Sequence, residues 1–561
     1  MSIEAGRAKL GRRERETAMN HHTRFRSIGK LLAVFLPLLL VAAACGDDDT
    51  SSDDTSPATS DNASPTTAGE QAADGPSGTA EVSYSVANFT MDPHLSTTAA
   101  NDIHMFLVYD RLIFFNADAE LEPMLASGWE FSDDGRTLTM QLRDDVVFSD
   151  GARFDADTVV ANLDRAMTIE GGTQANLLAG IAEVVAVDPT TVEFRLTDAY
   201  QADLPATLAT SAGIMVSPEA LDNTDLATAP VGSGPYVVDE YIQDDRVIFE
   251  PNTNYWGSDS GTPKLERLEI LGIRENDARY NALQSGEIDA ALAKVDQAAA
   301  TERLVSSGDF VLYEGDPSLS QLTMFLNSER SEFADQRVRQ AITHAIDREA
   351  ISEALTGGAA PPAGQIFPEG YWAAAPDVDA DYLGYDIDQA KALLSEAGLS
   401  DGFAFTLVVQ QGLQPQNDMA AIIQAQLAEI GVDVNVEARE GQVALTDFTS
   451  GNADALMAQI EGRNDPNQIV ELNVLDRFNP GGASQEIIDL ATEANSSHLS
   501  QEERAPLYQE LSKLVADEAY MVNIAQQVTG ILAVPELTGL DRLPWANVGT
   551  RWELRFIGRE G

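Results

Sequence analysis

Cysteine, histidine and basic side chains are scarce in this chain, and each shortage excludes a class of function. The single cysteine among 561 residues excludes a disulfide framework and a zinc site built from cysteines. The six histidines include no pair at helical spacing, which argues against a multi-histidine metal site. Lys and Arg number 35 against 90 Asp and Glu, a net charge of -55, so charge-driven binding to nucleic acid or anionic lipid is disfavoured.

Recognisable catalytic motifs are also missing. The sequence contains no G-x-S-x-G elbow, phosphate-binding loop, H-E-x-x-H motif or dinucleotide fingerprint. Its one S-x-x-K sequence, at 27–30, precedes an N-terminal apolar run and is discarded. Paired carboxylates carry no information in a chain with 90 of them. The sequence therefore favours a binding protein over an enzyme, and we expect neither a cofactor nor a metal.

The N-terminus has the pattern of a secretory signal. Residues 1–45 carry eight basic and three acidic side chains, and residues 31–44 form an apolar run of 14 residues. A membrane-spanning helix needs about 20 residues, so this run is typical of a signal-peptide core. The small residues before Cys45 resemble a bacterial lipobox, which predicts lipidation of Cys45. The alternatives are cleavage at an A-x-A site with an unmodified cysteine, and a start at Met19.

Residues 46–79 predict a solvated tether between the signal and the folded body. They contain eight acidic and no basic side chains and are rich in Ser, Thr, Ala, Gly and Pro, without apolar periodicity. Such a composition is typical of a disordered linker. The remaining length exceeds what one core organises, roughly 250–300 residues, so two or three lobes are expected. We expect an extracytoplasmic body, lipid-anchored to the cell membrane.

The body of the chain alternates between strand and helix patterns, which predicts an α/β fold. Period-two alternation predicts strands at 81–86, 138–147, 191–196, 246–250 and 432–436. Helical spacing predicts helices at 98–112, 155–167, 276–285, 335–355, 387–397, 417–430 and 501–517. A helix at 417–430 followed by a strand at 432–436 is a unit that builds parallel sheets.

Several separated segments resemble the family 5 extracellular solute-binding proteins, the peptide- and nickel-type receptors of ABC importers. The matching segments are MDPH (91–94), LASGWE (125–130), LRDDVVFSDG (142–151), FDADTV (154–159), GSGPY (232–236), YWG (255–257), LQSGEID (283–289) and FADQRVRQAI (333–342). Their order and spacing over about 90–430 carry the resemblance.

The resemblance implies a type II periplasmic-binding-protein fold of the cluster C type, with two lobes and an extra subdomain. Lobe I would combine 80–120, 232–322 and 525–561, the extra subdomain would be 121–231, and lobe II would be 323–524. Ligand would bind in the cleft between the lobes, which closes by a hinge. The implied function is a monomeric receptor that captures peptides or another small polar solute and delivers it to an ABC permease. A lipid-anchored surface hydrolase is the alternative.

The resemblance also implies a ligand site, where this sequence departs from the family's pattern. In peptide-binding members, an Asp for the peptide's amino terminus lies four residues before the Pro of an Asp-Pro pair. A Trp often lies three residues earlier. Here the pair at 465–466 places Gly462 and Gln459 at these positions. Glu461 would supply the carboxylate if the loop shifts by one residue, or it would be a surface acid.

Further ligand-binding candidates follow from position in the resemblance. Arg463 would meet an acidic group of the ligand. Asn88, Phe89 and Thr90 occupy the loop after the first strand, which in this family tends to face the cleft. Trp372 lies in a Gly- and Pro-rich loop, where an aromatic side chain lines the cleft or packs a lid. The departure in the Asp-Pro loop leaves a sugar, a metal chelate or another small solute open beside peptides.

Overall fold

The computed structural model describes most of the chain beyond the predicted tether. The described ranges are 75–85, 90–96, 99–118, 120–222, 225–314, 319–542 and 552–560. Cys45, Asn88 and Phe89, for which lipidation or ligand contact is predicted, lie outside these ranges. Within them, no helix has the length and the apolar character that crossing a membrane requires.

Strands and helices alternate along the described residues. The first strands are β1 (Thr79–Tyr84), β2 (Ile113–Phe115), β3 (Leu121–Pro123), β4 (Ala126–Phe131), β5 (Thr137–Leu142), β6 (Ile181–Asp188), β7 (Thr191–Leu196), β8 (Tyr236–Ile242), β9 (Arg246–Pro251) and β10 (Arg267–Gly272). The later strands are β11 (Ala290–Lys294), β12 (Val311–Glu314), β13 (Gln321–Leu326), β14 (Phe403–Gln410), β15 (Val432–Arg439), β16 (Ala455–Ile460), β17 (Met521–Gln526), β18 (Thr529–Ala533), β19 (Leu537–Thr538) and β20 (Gly558–Arg559).

The α-helices of the described residues lie between these strands. They are α1 (Asp102–Val108), α2 (Ala156–Thr168), α3 (Leu204–Thr207), α4 (Asn276–Ser285), α5 (Ala298–Ser307), α6 (Gln336–His344), α7 (Arg348–Thr356), α8 (Ile387–Glu396), α9 (Gln414–Ala428), α10 (Gly441–Thr449), α11 (Pro466–Val470), α12 (Gln485–Ala494) and α13 (Gln501–Glu518). This mixture of helices and strands confirms the predicted α/β class.

Three larger sheets organise these strands. The first sheet has seven strands in the order β12-β18-β11-β1-β10-β9-β8, the second has five in the order β15-β14-β16-β13-β17, and the third has four in the order β4-β5-β7-β6. In the first sheet β1 is parallel to β10 and β11. In the second sheet β14 is parallel to β15 and β16. Parallel strands end at one shared edge, where ligands bind in α/β folds.

Side-chain alternation gives the first and second sheets two buried faces each. In β11, Leu292 packs into one core of the first sheet and Ala291 into the core that contains α4. In β16, Met457 packs with α6 to α9, whereas Leu456 and Ile460 point into the core shared with α12 and α13. Helices on both faces of a sheet are the layered arrangement that α/β chains adopt to bury apolar strands.

Three predicted elements differ clearly from the structure, and the first is the helix predicted at 98–112, because α1 spans only Asp102–Val108. The strand predicted at 138–147 ends at Leu142, because the charged residues that follow form a bend outside the sheet. The helix predicted at 335–355 is two helices, α6 and α7, that meet at 345–347. Asp347 begins the second helix by accepting a hydrogen bond from the N–H of Ala350 at 2.9 Å. An Asp side chain bonded in this way stabilises a new helix start and interrupts the earlier helix.

Candidate functional site

A cavity of about 750 Å³ lies where the ends of the first and second sheets meet. Tyr84 at the end of β1 and Lys294 at the end of β11 line it from the first sheet, and Gln459 of β16 and Ala525 of β17 line it from the second. The segment 526–529, which joins β17 to β18, also lines it. The volume falls in the range of about 300–1,000 Å³ that is typical of small-molecule pockets.

Helices α7 and α9 complete the wall on the side of the second sheet. Residues 413–416, at the amino end of α9, line the cavity because this helix follows directly on β14. Leu413 precedes the helix without a side-chain cap, and the first turn of α9 carries no acidic residue. The amino end of a helix carries partial positive charge, so this wall favours a negative ligand group.

Lys294 is a basic residue in the wall of this cavity. Its side chain is half-buried, and no carboxylate of the described residues forms an ion pair or hydrogen bond with it. Burial and the positive charge of Arg279 lower the pKa of Lys294, while the nearby Asp296 acts in the opposite direction. Arg279 itself is buried and donates to the carbonyl oxygens of Ile273 and Arg274 at 2.7 and 3.0 Å. The first-sheet wall thus holds a desolvated ammonium group beside a buried guanidinium.

Acidic side chains line the same cavity at its exposed margin. Glu275, Asp296 and Asp418 all contribute to the wall and are exposed to solvent. Asp418 accepts a hydrogen bond from the side-chain amide of Gln414 at 2.7 Å. The cavity wall therefore carries charges of both signs, which suits a solute with groups of both signs.

Two glutamine side chains add neutral hydrogen-bonding groups to the second-sheet wall. Gln416 is 5% exposed, and its Oε1 has no hydrogen-bond partner among the described residues. Gln459 donates from Nε2 to the Ser320 hydroxyl at 2.6 Å, and Ser320 donates to the carbonyl oxygen of Ile460 at 2.9 Å. A buried acceptor that stays unpaired costs about 1–3 kcal/mol, and Gln416 carries this cost in the structure.

Among the predicted ligand-binding residues that the structure describes, one lies at this cavity. Gln459 lines it, whereas Thr90, Trp372, Glu461 and Arg463 do not. The Thr90 hydroxyl oxygen accepts a hydrogen bond, at 3.1 Å, from the backbone N–H of the residue two positions later in the chain. The ligand-binding roles of these residues stay predictions.

In the loop after β16, the two charged side chains that are predicted to bind a ligand form an ion pair with each other. Arg463 donates from Nη2 to Glu461 at 3.0 Å, and the Glu461 side chain is 58% exposed. Each predicted partner for a ligand charge therefore already has an opposite charge beside it. Exposed pairs of this kind are weak, about 0–1 kcal/mol, so a charged ligand group would compete with the pair at little cost.

Trp372 lies in an aromatic cluster near the start of α11. Its ring is edge-on to Tyr508, with 5.7 Å between ring centroids, and the Arg504 guanidinium lies 5.6 Å from the Trp372 ring. Arg504 donates two hydrogen bonds of 2.8 Å to Asp465, whose side chain also accepts from the N–H of Asn467 at 2.9 Å. The Asp of the Asp-Pro pair is thus a structural residue that begins α11.

A second polar cluster follows the loop after β1. Asp92 and Arg165 form an ion pair with a shortest distance of 2.6 Å, and Arg165 also lies 2.7 Å from Nδ1 of His94. Burial, and then the charge of Arg165, lower the pKa of His94 to about 4, although Asp92 opposes this shift. His94 is therefore neutral at physiological pH. No group of three or more metal-ligating side chains occurs among the described residues.

Sequence reasoning missed Lys294 and Gln416. Lys294 ends a strand that directly follows the matching segment LQSGEID, and Gln416 lies just before the predicted helix 417–430. The signal that would have found Lys294 is its place at the carboxyl end of a parallel strand, where α/β folds bind ligands. No local pattern indicates that these two distant residues share one cavity.

The sequence comparisons identify a family and named relatives. Residues 120–476 match the family model described as bacterial extracellular solute-binding proteins, family 5 Middle. A glutathione-binding protein of Salmonella paratyphi A is 33% identical over 360 residues, which cover 63% of this chain and 68% of the relative. A glutathione-binding protein of Escherichia coli O1:K1 / APEC is 32% identical over 358 residues, with the same coverage.

Solved structures share the fold. The periplasmic binding protein DppA from Helicobacter pylori, in complex with the peptide STSA, matches with a TM-score of 0.71 and 24% identity, over 86% of this chain and 98% of that chain. NikA from Brucella suis, in complex with Fe(III)-EDTA, matches with a TM-score of 0.74 and 24% identity, over 86% and 100%. These matches confirm the predicted type II periplasmic-binding-protein fold.

Proposed function

The chain belongs to family 5 of the bacterial extracellular solute-binding proteins, and from this membership we propose that it captures a small peptide-like solute between its first and second sheets. The observation that carries the proposal is the cavity of about 750 Å³ at the ends of both sheets. The segment 526–529 joins the sheets and lines the cavity, so a hinge there would close the sheets over a solute.

The charges of the cavity support a peptide-like solute. A short peptide carries an ammonium and a carboxylate group, and the cavity is lined by exposed acidic side chains and by the half-buried Lys294. The relatives that are 33% and 32% identical are named for binding glutathione, which is itself a tripeptide. A neutral sugar would leave this arrangement of charges unused.

We further propose that the protein works outside the cytoplasm as a lipid-anchored, monomeric partner of an ABC permease. The support for an anchor is the apolar run before Cys45 and the acidic segment 46–79 after it. The proposed lobes keep the ranges implied by the sequence: 80–120 with 232–322 and 525–561, 121–231, and 323–524. All strands of the third sheet lie within 121–231, the proposed extra subdomain. Family 5 proteins are binding proteins, which speaks against the alternative of a surface hydrolase.

Native mass spectrometry of the full-length protein, purified without unfolding, tests the ligand class. We expect a bound mass that corresponds to a short peptide or glutathione, since tight receptors retain ligand when closed. A bound sugar or metal chelate would refute the peptide-like class and leave the receptor fold intact. Incubation with glutathione, followed by recovery of the intact tripeptide, separates a receptor from the hydrolase alternative.

A further inference from the structure

The proposed extra subdomain touches the unit of the second sheet at a place outside the cavity. Residues 199–208, which include α3, meet residues 464–498 of that unit, and we name this the subdomain contact. None of these residues lines the cavity of about 750 Å³ beside the segment 526–529. The chain does not pass between the two units at the subdomain contact, so only non-covalent interactions hold it together.

The extra subdomain is fastened to the unit of the first sheet. The N–H of Leu112 donates to the carbonyl oxygen of Gly213 at 2.9 Å, and the N–H of Met215 donates to that of Asp110 at 3.0 Å. The chain also enters the subdomain from this unit and returns to it. The subdomain therefore moves with the first sheet, and the subdomain contact has to open when the two sheets part about 526–529.

Hydrogen bonds cross the subdomain contact in both directions. The N–H of Ala202 donates to the carbonyl oxygen of Asn495 at 3.1 Å, and the N–H of Ser497 donates to that of Ala199 at 2.8 Å. Leu204 is buried in an apolar core that both units share. Contacts between units that move are more polar than permanently buried ones. The mixture of polar and apolar groups suits a contact that forms and breaks.

Asp203 places a carboxylate in the subdomain contact. Its Oδ2 accepts a hydrogen bond from Asn467 at 3.2 Å, and its Oδ1 accepts one from Asn495 at 3.1 Å. Both donors are neutral amides, and Arg504 of α13 is already paired with Asp465. The Asp203 carboxylate thus leaves water without gaining a cation when the contact forms, which costs free energy.

Acidic side chains of the second-sheet unit face Asp203. Burial, and then the charges of Asp465 and Glu471, raise the pKa of Asp203 from 3.8 to about 6, although the two amide donors oppose this shift. When the units part, water surrounds the carboxylate and its pKa returns toward the ordinary value. The other titratable side chains around the contact are Asp198, Arg504, Tyr508 and the exposed His498, which lies beside Gly135.

We therefore propose that the subdomain contact is a pH-sensitive latch, in which Asp203 takes up a proton from solvent as the contact forms. A group that binds its proton more tightly in the closed form favours that form as the pH falls through the window from about 6 to 3.8. Acidic solution therefore holds the two units together more firmly than neutral solution. The latch does not depend on the class of solute, whereas its part in retaining a solute rests on the proposed function.

Amide hydrogen exchange of the full-length protein, without added solute, tests the latch. Asp203→Asn replaces the carboxylate by a neutral amide that stands for the protonated group. Peptides that contain the N–H groups of Ala202 and Ser497 report opening, because both groups donate across the contact. Dividing the wild-type rate by the variant rate at each pH removes the intrinsic pH dependence of exchange. We expect this ratio to fall by about tenfold from pH 7.5 to pH 5.

A second variant serves as the matched control. Asp164→Asn makes the same chemical change on an exposed position of α2 in the same subdomain. We expect the ratio of wild-type to Asp164→Asn rates to be the same at both pH values. Glu471 and His498 are unchanged in all three proteins, so their effects cancel in both ratios.

The outcomes separate the latch from the proposed function. An equal ratio at pH 7.5 and pH 5 for Asp203→Asn overturns the latch and leaves solute capture untouched, because no solute takes part. A sugar or metal chelate found by native mass spectrometry overturns the peptide-like class and leaves the latch. If Asp203→Asn fails to fold, the wild type decides alone. After correction for intrinsic exchange, its contact must open about tenfold less often at pH 5 than at pH 7.5, and equal opening overturns the latch.

Discussion

At the scale of single residues, a pair of carboxyl groups in the first sheet has the clearest effect on stability. The backbone N–H of Glu81 donates to Asp289 at 3.0 Å, and Arg559 forms an ion pair with Asp289. Burial, and then the hydrogen bond and repulsion from Asp289, raise the pKa of Glu81 from 4.5 to about 7. The folded protein therefore holds a proton between these pH values that the unfolded chain has released, and its stability falls as pH rises through this window.

We predict that Glu81→Gln stabilises the protein at pH 8 and loses this advantage near pH 4.5. The amide cannot ionise, so the cost of the buried charge disappears. The gain is at most about 1 kcal/mol, because Glu81 is partly exposed and solvent screens the pair. Urea unfolding at pH 5 and pH 8 measures the difference. Glu250→Gln, on an exposed position of β9, is the control, and an equal gain at both pH values for Glu81→Gln would contradict the prediction.

At the scale of elements, the short helix α11 depends on its neighbours for its position. Arg504 of α13 holds Asp465 through two hydrogen bonds, and both residues are about 5% exposed. Asn467 of α11 donates to Asp203, which precedes α3, at 3.2 Å. Burial, followed by repulsion from Asp465, raises the pKa of Asp203 to about 6. Polar contacts therefore join α11 both to α13 and to the chain segment that follows the third sheet.

We predict that Arg504→Ala destabilises the protein by about 3–5 kcal/mol, because the variant leaves Asp465 buried without a cation. Equilibrium unfolding in urea measures the loss. Arg195→Ala removes an exposed ion pair with Glu183, in which both side chains are more than half exposed. We expect this control to cost no more than about 1 kcal/mol. Equal losses in the two variants would show that burial of the Arg504 pair has no energetic consequence.

At the scale of the whole molecule, distant parts of the chain build the first sheet. β1 lies beside β10 and β11, while β18 returns from the second sheet to pair with β11 and β12. The buried Arg555 of the C-terminal segment forms an ion pair with Asp110, which follows α1, at 2.7 Å, and a second one with Glu553 of its own segment at 2.8 Å. The second sheet is thus inserted within the sequence of the first, and closure on a solute must bend the chain where it passes between them.

The net charge of -55 predicts that salt stabilises the whole protein. Like charges repel one another most in the compact state, and the screening length falls from about 10 Å at 0.1 M salt to about 3 Å at 1 M. We expect the thermal midpoint to rise between these salt concentrations, equally in NaCl and KCl. Differential scanning calorimetry measures it. A midpoint that falls would contradict the prediction, and a rise with one cation alone would indicate a specific cation site.

The sequence by itself determined the α/β class, the family and the bounds of several helices. The predicted helix 276–285 coincides with α4, and 387–397 differs from α8 by one residue, because helical periodicity and a glycine at the end are local signals. The second sheet was mostly missed, since all six residues of β13 are buried and such a strand shows no alternation. Counting back from the Asp-Pro pair led to Gln459, which lines the cavity, and its ligand-binding role stays a prediction.

Only the tertiary structure decided which polar groups face one another. Glu461 and Arg463 looked like free charges in the sequence, and the fold turns them toward each other at 3.0 Å. Lys294 and Gln416 belong to different sheets, and the packing of those sheets brings them to one cavity. The physical reason is that local patterns report the contacts of neighbours in sequence, whereas a cleft is made by the packing of segments that are far apart along the chain.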